Sequence, residues 1–143
     1  MLHDLSSCRA QLRTTQQQIQ DLLEVFLGRE PLLPASLYTL RRRCGKPNCH
    51  CAHGQLHATT VLSLRGHHRP QTITPPAEHL EEVRQLTLAY RRFRQARTHL
   101  LRLQRHMLTL IDRLEAARRQ QGQRRWQQRC SSTTPPSSRP SRS

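Results

Sequence analysis

A cluster of cysteine and histidine residues lies near the centre of this 143-residue sequence, between Cys44 and His57. Three of the five cysteines in the chain fall within eight positions of this stretch. Thiolate sulfur and imidazole nitrogen are the donors that Zn²⁺ takes in tetrahedral structural sites, where four such ligands close the coordination sphere. The sequence therefore predicts a Cys₃His zinc site made of Cys44, Cys49, Cys51 and His57.

Other interpretations of this cluster stay open at this point. His50 or His53 could supply the fourth ligand in place of His57. A disulfide is disfavoured, because the number of cysteines is odd and we expect no secretory signal peptide before them. Reactive redox thiols and inert thiols are the remaining alternatives. Cys8 and Cys130 lie far from the cluster and are not expected to bind the metal.

The composition points to an anionic partner. The formal net charge is +15, and all basic residues except Lys46 are arginine. Such a charge favours nucleic acid or an anionic membrane surface. No run of about 18 apolar residues is present, so we expect no membrane span and a cytoplasmic location. Aromatic residues make up only 3% of the chain, which predicts a small, leucine-rich core that a metal would help to stabilise.

Two segments have the hydrophobic period of amphipathic helices. The first ends at Gly28, and its apolar positions are Leu5, Cys8, Leu12, Ile19, Leu22 and Phe26. The second covers 78–118, with apolar positions at Val83, Leu86, Tyr90, Phe93, Leu100, Met107, Ile111 and Leu114, widened by Leu101, Leu103, Leu108 and Leu110. We expect the two helices to form an antiparallel, coiled-coil-like pair. The excess leucine surface predicts a homodimer or a partner helix.

Between the helices, the residues alternate as in short strands. Strands are predicted over 36–43, 59–64 and 70–74, with a turn at 65–68 that contains Gly66. The predicted fold is α+β and mostly α, with two long helices in an antiparallel pair flanking a small zinc-stapled three-stranded antiparallel meander. The expected segments are an N-terminal helix (1–28), the meander with its metal knuckle (29–77), a long helix (78–118) and a disordered basic tail (119–143).

The arginines are concentrated in places where they could contact phosphates. From Arg84 to Arg129 there are 13 arginines against two acids. Arginine can bind phosphate through two parallel hydrogen bonds, and phosphate contacts carry most sequence-independent affinity for nucleic acid. The predicted nucleic-acid-binding residues are Arg41, Arg42, Arg43, Lys46, Arg91, Arg92 and Arg94. DNA is expected rather than RNA, without readout of base sequence.

The stretch from RRRCGKPNCHCAHGQLH to HLEEVRQLTLAYRRFRQ resembles an uncharacterised bacterial domain family with a CGK-x-x-C-x-C-x-x-G-x-x-H core and a following long helix. The matching residues are Cys44, Gly45, Lys46, Cys49, Cys51, Gly54, His57, Tyr90, Arg91, Arg92 and Phe93. After His57 the chain departs from the pattern, because ATTVLSL stands where the family more often has Gly-Pro and several aromatic residues. The resemblance implies an association with mobile elements and supplies no established activity.

These features predict a non-catalytic, zinc-binding, nucleic-acid-binding accessory protein of a mobile element. The alternative is a helical adaptor or oligomerisation protein with a structural zinc and no nucleic-acid contact. An enzyme and a small-molecule substrate are not expected, because the chain has nine acids and no glycine-rich phosphate loop. Glu78, Glu81 and Glu82 suit a helix N-terminus, while His67 and His68 fall in the predicted turn.

Overall fold

The computed structural model describes residues 5–65 and 69–132. Its elements are α1 (Leu5–Leu27), β1 (Ala35–Arg42), a 3-10 helix (His50–His53), β2 (His57–Leu64), β3 (Gln71–Ile73), a second 3-10 helix (Ala77–His79) and α2 (Leu80–Ser131). The protein is mostly helical with one small sheet, so the predicted class is confirmed in this coarse form. None of the described helices is both long and apolar enough to cross a membrane.

The chain divides into two compact units. Leu22–His99 contains the sheet together with the end of α1 and the start of α2. The second unit combines the described residues of Met1–Asp21 with those of Leu100–Ser143. The Cys/His cluster and all the basic residues predicted to bind nucleic acid belong to Leu22–His99.

The sheet is the predicted antiparallel meander, with strand order β1-β2-β3. Leu37 of β1 lies opposite Leu62 of β2, which lies opposite Ile73 of β3. Leu62 and its neighbour Val61 are buried, and successive residues of a strand point to opposite faces. Both faces of the central strand therefore exclude solvent at this point. Of the predicted turn at 65–68, residues 66–68 lie outside the described residues.

Within Leu22–His99 the sheet is fixed to the helices through the segment that follows α1. The backbone N–H of Leu33 donates to the carbonyl oxygen of Leu86 on α2 at 3.3 Å. Phe26 and Phe93 meet edge to face, with ring centroids 5.1 Å apart, which is a favourable aromatic geometry. The segment after Gly28 is thus held against α2.

In the other unit, the buried residues Cys8 and Thr15 and the predicted apolar positions of α1 together follow one another in alternating steps of three and four residues. Thr15 is 3% exposed and fills the gap between the predicted positions Leu12 and Ile19. Its hydroxyl donates to the carbonyl of Gln11, which lets a polar residue occupy the apolar stripe. On α2 the buried positions are Leu103 and Leu110, whereas Leu101, Leu108 and Ile111 are exposed. The buried face of α2 in this unit is therefore centred on Leu103 and Leu110, beside the predicted positions Met107 and Ile111.

The predicted pairing of two long helices is wrong. α1 has 23 residues and α2 has 52, so α1 is less than half as long as α2. The sequence predicted an antiparallel pair of two long helices, whereas only α2 is long. Gly28 and Pro31 limit α1, whereas no proline follows Leu80 before Pro135.

The predicted disordered tail is also wrong in its first part. Residues 119–131 are helical and belong to α2. An ion pair between Arg119 and Glu115, one turn apart at 3.6 Å, adds a small stabilisation in this segment. Gln and Arg are adequate helix formers, so a polar composition alone did not indicate disorder. The rest of the predicted tail, 133–143, lies outside the described residues.

Candidate metal centre and basic surface

The four predicted zinc ligands lie in and beside the connection between β1 and β2. β1 ends at Arg42, and Cys44 follows two residues later. His57 is the first residue of β2 and lies directly opposite Arg42 in the sheet. The hairpin thus brings the first and last ligands together, and the connection between them only has to place Cys49 and Cys51.

Local backbone structure places these two cysteines. The N–H of Cys49 donates to the carbonyl oxygen of Lys46 at 3.3 Å, which closes a turn after Cys44. Cys51 lies in the 3-10 helix that follows. Gly45 and Gly54 have φ angles of +80° and +105°, a left-handed conformation that residues with a Cβ adopt only with strain. The two glycines are therefore required where the chain enters and leaves this turn.

The ligand atoms of Cys44, Cys49, Cys51 and His57 all lie within 4.8 Å of one another. The Sγ atoms of Cys44 and Cys51 are 3.4 Å apart, and Cys49 Sγ lies 3.0 Å from His57 Nε2. Donors in a tetrahedral zinc site are separated by roughly 3.5–3.8 Å, given bond lengths of about 2.0–2.3 Å. All five cysteines lie among the described residues and are free thiols. The four donor atoms are thus close enough together to hold one metal ion, with small shifts to the spacing of a tetrahedral site.

Burial and hydrogen bonding are strongest at Cys51. This residue is only 1% exposed, although most of the residues around it are exposed. Its Sγ accepts the backbone N–H of Cys44 at 3.3 Å. Backbone donors to a sulfur ligand orient it and stabilise its negative charge, as outer-shell hydrogen bonds do in metal sites. Cys51 is therefore the most buried residue of the connection between β1 and β2, and the backbone orients its sulfur.

Two thiols of the cluster have shifted pKa values of opposite sign. The pKa of Cys44 is lowered to about 6, mainly by the backbone amide of Lys46 and then by the side chains of Cys51 and Cys49. The pKa of Cys49 is raised, because the side chains of Cys44 and Cys51 outweigh the lowering effect of the Cys51 backbone amide. In the metal-free protein the thiolate of Cys44 therefore forms at a lower pH than that of Cys49, and thiolates are the metal-binding form of cysteine.

His57 joins the cluster, whereas the alternative ligands His50 and His53 are not part of it. Neither is Cys8 or Cys130, in agreement with the sequence analysis. Cys8 is buried on α1, with its Sγ 3.8 Å from the carbonyl oxygen of Leu110. Its burial shows that it is a packing residue.

The basic residues predicted to bind nucleic acid are all exposed. They form two groups, one at the end of β1 and in the metal connection (Arg41, Arg42, Arg43 and Lys46) and one on α2 (Arg91, Arg92 and Arg94). None of the seven side chains forms a salt bridge with an acid in the described part of the chain. No acidic side chain in the described ranges therefore neutralises their charges.

The group on α2 does not lie on a single surface. Arg91 lines a cleft of about 220 Å³ between α2 and the sheet. Arg92, the next residue, lines a different cavity of about 340 Å³ that also contains Glu24 and Glu30. Consecutive residues of a helix point about 100° apart, which accounts for the separation. Arg91 has an acid-free cleft and Arg92 does not.

Arg84, which the sequence analysis did not include among the binding residues, lines the same cleft as Arg91. The two arginines are seven positions apart, and this spacing places them on the same side of a helix. That spacing is visible in the sequence. Thr39 and Thr60 also line the cleft, and only the register of the sheet brings them together.

No protein-family model matches this chain. Comparisons with curated proteins and with solved structures also give no match. The resemblance to a bacterial domain family therefore stays a prediction, and the residues and geometry described above are the basis for a functional assignment.

Proposed function

We propose that this chain is a non-catalytic zinc-binding protein that contacts the phosphate backbone of nucleic acid, with DNA preferred over RNA. The observation that carries the proposal is the position of the metal cluster among basic side chains that have no acidic partner. Arg42 precedes Cys44 by two residues, and Lys46 lies within the metal connection. A metal bound there would fix these side chains in one arrangement.

Zinc is the metal that the donor set favours. Three thiolates and one imidazole form a soft, closed tetrahedral set, which is typical of structural zinc. A catalytic zinc would keep an open position for water, and four protein ligands leave none. The site therefore stabilises the hairpin and does not act on a substrate. Its free thiols suit a reducing compartment such as the cytoplasm.

Phosphate binding is supported by charge rather than by shape. The chain carries a formal charge of +15, and arginine accounts for nearly all of its basic residues. Arginine matches the geometry of phosphate oxygens and loses little entropy for each hydrogen bond that it forms. Nothing in the basic surface selects particular bases. An accessory role in a mobile element rests on the resemblance alone.

The proposal is tested by measuring zinc per chain and the affinity for a 20-base-pair duplex over a series of salt concentrations. Affinity should fall as salt rises, with a log–log slope of about −0.9 for each phosphate contacted. Replacing Arg41, Arg42 and Arg43 together by glutamine should make this slope shallower by up to roughly 2.7. Absence of duplex binding by the zinc-loaded wild-type chain at about 0.05 M salt would refute nucleic-acid binding.

A second candidate is an adaptor that binds another helix. It is favoured by the exposed apolar residues of α2 in the Leu100–Ser143 part of the chain, which are Leu101, Leu108, Ile111 and Trp126. Leu108 and Trp126 are 60% and 68% exposed. Apolar surface of this kind often marks an interface. Sedimentation of the wild-type chain and of Leu108→Gln tests the oligomerisation form of this candidate, because only a chain that self-associates through this surface would lose its assembly in the variant.

A further inference from the structure

We propose that the cleft between the sheet and the start of α2 is a specific binding site for one backbone phosphate of a nucleic-acid strand. This inference rests on the proposed function and assigns part of it to a defined place. The cleft has a volume of about 220 Å³ and lies entirely within Leu22–His99. Its lining consists of Leu37, Tyr38, Thr39, Thr60, Arg84, Thr87, Leu88 and Arg91, with no acidic residue.

Two guanidinium groups supply the charge of the cleft. Arg84 and Arg91 are seven residues apart on α2, which separates their Cα atoms by roughly 10 Å along the helix. Arg91 has no acidic partner among the described residues. Arg84 lies 3.6 Å from Glu81, an exposed pair whose charges water already screens. A phosphate can therefore bind both arginines without breaking a strong ion pair.

Threonine hydroxyls supply hydrogen bonds on the opposite wall. Thr39 and Thr60 are direct partners in the register of β1 and β2, and both line the cleft. Neither hydroxyl forms a hydrogen bond with any described residue, so both are free to donate. Thr87 differs, because its hydroxyl already donates to the carbonyl of Arg84 at 2.9 Å. Two arginines and two free hydroxyls are the kinds of donor that bind phosphate oxygens.

The surroundings favour a phosphate that belongs to a longer strand. Residues two apart on a strand share a face, so Arg41 lies on the same face of β1 as Thr39, next along the strand toward the metal connection. Arg41 is exposed and has no acidic partner in the described chain. A polyanion that places one phosphate in the cleft can place a neighbouring phosphate on Arg41. A free phosphate ion would use the cleft alone.

The cavity that contains Arg92 provides an internal contrast. It is larger, at about 340 Å³, but Glu24 and Glu30 line it together with Arg92. Glu24 and Glu30 make this cavity less favourable for a phosphate, since like charges repel. The smaller cleft is therefore the better phosphate site, because it combines positive charge with free hydroxyl donors, although it is not the larger cavity.

The test compares two double variants that lose the same charge. Arg84→Gln with Arg91→Gln removes both arginines of the cleft, and Arg97→Gln with Arg118→Gln removes two exposed arginines outside it. Anisotropy of a labelled 20-base-pair duplex gives the affinity of each zinc-loaded protein. The cleft variant should bind at least about tenfold more weakly, since each charge-assisted hydrogen bond contributes roughly 1.5–3 kcal/mol. The control variant should change by less than about threefold, the loss expected from diffuse charge.

A third variant, Thr39→Val with Thr60→Val, keeps the charge and the β-branched shape while removing both hydroxyls. It should weaken duplex binding by at least about fivefold with an unchanged salt slope, because each of the two lost hydrogen bonds contributes at least roughly 0.5 kcal/mol. This result would support a specific site, since diffuse attraction does not depend on hydroxyl groups. Circular dichroism of each variant checks that the fold is retained.

Each other result overturns a defined part of the inference. Equal losses in the two arginine variants would leave nucleic-acid binding standing and refute the cleft. Binding of inorganic phosphate in the cleft without binding of the duplex would refute the strand as ligand. No binding of either the duplex or inorganic phosphate by the wild-type chain would refute the cleft and the proposed function together.

Discussion

Replacing Cys51 by serine should release the metal and lower the stability of the chain. Cys51 is the ligand with the least exposure, at 1%, and its Sγ lies 3.4 Å from that of Cys44. Serine is nearly the same size but does not provide a thiolate. The substitution therefore removes one metal ligand while leaving the shape of the connection almost unchanged.

The magnitude follows from the connection that the metal closes. Cys44 to His57 is a fourteen-residue loop in which only Cys51 is buried, so it has almost no apolar core of its own. If the metal is treated as a cross-link between its first and last ligands, closing such a loop stabilises the folded state by roughly 3 kcal/mol. For a domain of this size that corresponds to a fall in melting temperature of about 10 °C.

The assay combines elemental analysis of the purified chains with thermal unfolding followed by circular dichroism. Wild type should contain one zinc per chain, and Cys51→Ser should contain none. Cys130→Ser is the matched control, because Cys130 is exposed and outside the cluster. It should keep both the metal and the melting temperature. A chelator should lower the melting temperature of wild type to that of Cys51→Ser.

The helical signal separates loss of the site from general unfolding. α2 does not depend on the metal connection for its backbone hydrogen bonds, so Cys51→Ser should remain largely helical at 25 °C. Full retention of one zinc and of the wild-type melting temperature by Cys51→Ser would refute the ligand assignment. A metal-free wild-type chain with an unchanged melting temperature in added zinc would refute the metal site itself.

Three further predictions concern acid, backbone conformation and packing. The pKa of Cys44 is lowered to about 6 in the metal-free chain, so its thiolate is present at neutral pH and is lost as the pH falls through about 6. Protons then compete with the metal for this ligand, so the apparent zinc affinity should fall more steeply with decreasing pH below about 6 than above it, as competition with a zinc-sensitive dye would report. An apparent affinity that does not weaken with acid would contradict the assignment. Gly54→Ala should destabilise the chain by about 1 kcal/mol because φ is +105° there, whereas Gly122→Ala, within α2 and with open space around it, should stabilise by a similar amount. Denaturant titration should show these opposite signs, and a shared sign would refute the conformational argument. Leu110→Ala should lower the free energy of unfolding by about 2–5 kcal/mol, because Leu110 is 0% exposed. Leu108→Ala should lower it by less than about 0.5 kcal/mol in a monomer. A large loss of stability in Leu108→Ala would show instead that a partner covers Leu108.

The four candidate metal ligands could be predicted because their chemistry is visible in the residue types. Four ligands that are close together in the sequence can surround one ion in only a few arrangements. The pairing of β1 with β2 then brings Cys44 and His57 close to each other. The choice of His57 over His50 and His53 needed the structure. His50 and His53 are the two ends of the 3-10 helix, and Cys51 between them takes the position inside the cluster.

The helices show where sequence periodicity is insufficient. Apolar spacing correctly predicted α1, but it passed over Thr15, whose hydroxyl is satisfied by its own helix. On α2, leucines occur on several sides, and the spacing alone could not tell which ones are buried. Leu103 and Leu110 are buried, and Ile111 is not. The end of α2 was placed too early, because arginine and glutamine suit a solvent-exposed helix as well as a tail.

The cleft could not be found from the sequence because its two walls come from distant segments. Thr39 and Thr60 are adjacent only through strand pairing, and Arg84 and Arg91 face them only because α2 packs against the sheet. β1 connects these features, since it carries Thr39 and Arg41 and leads directly to Cys44. A metal that fixes the end of this strand also limits the movement of the arginines beside it. Preorganised donors lose less entropy on binding, so on the proposed function a structural zinc would contribute to phosphate affinity without touching the phosphate.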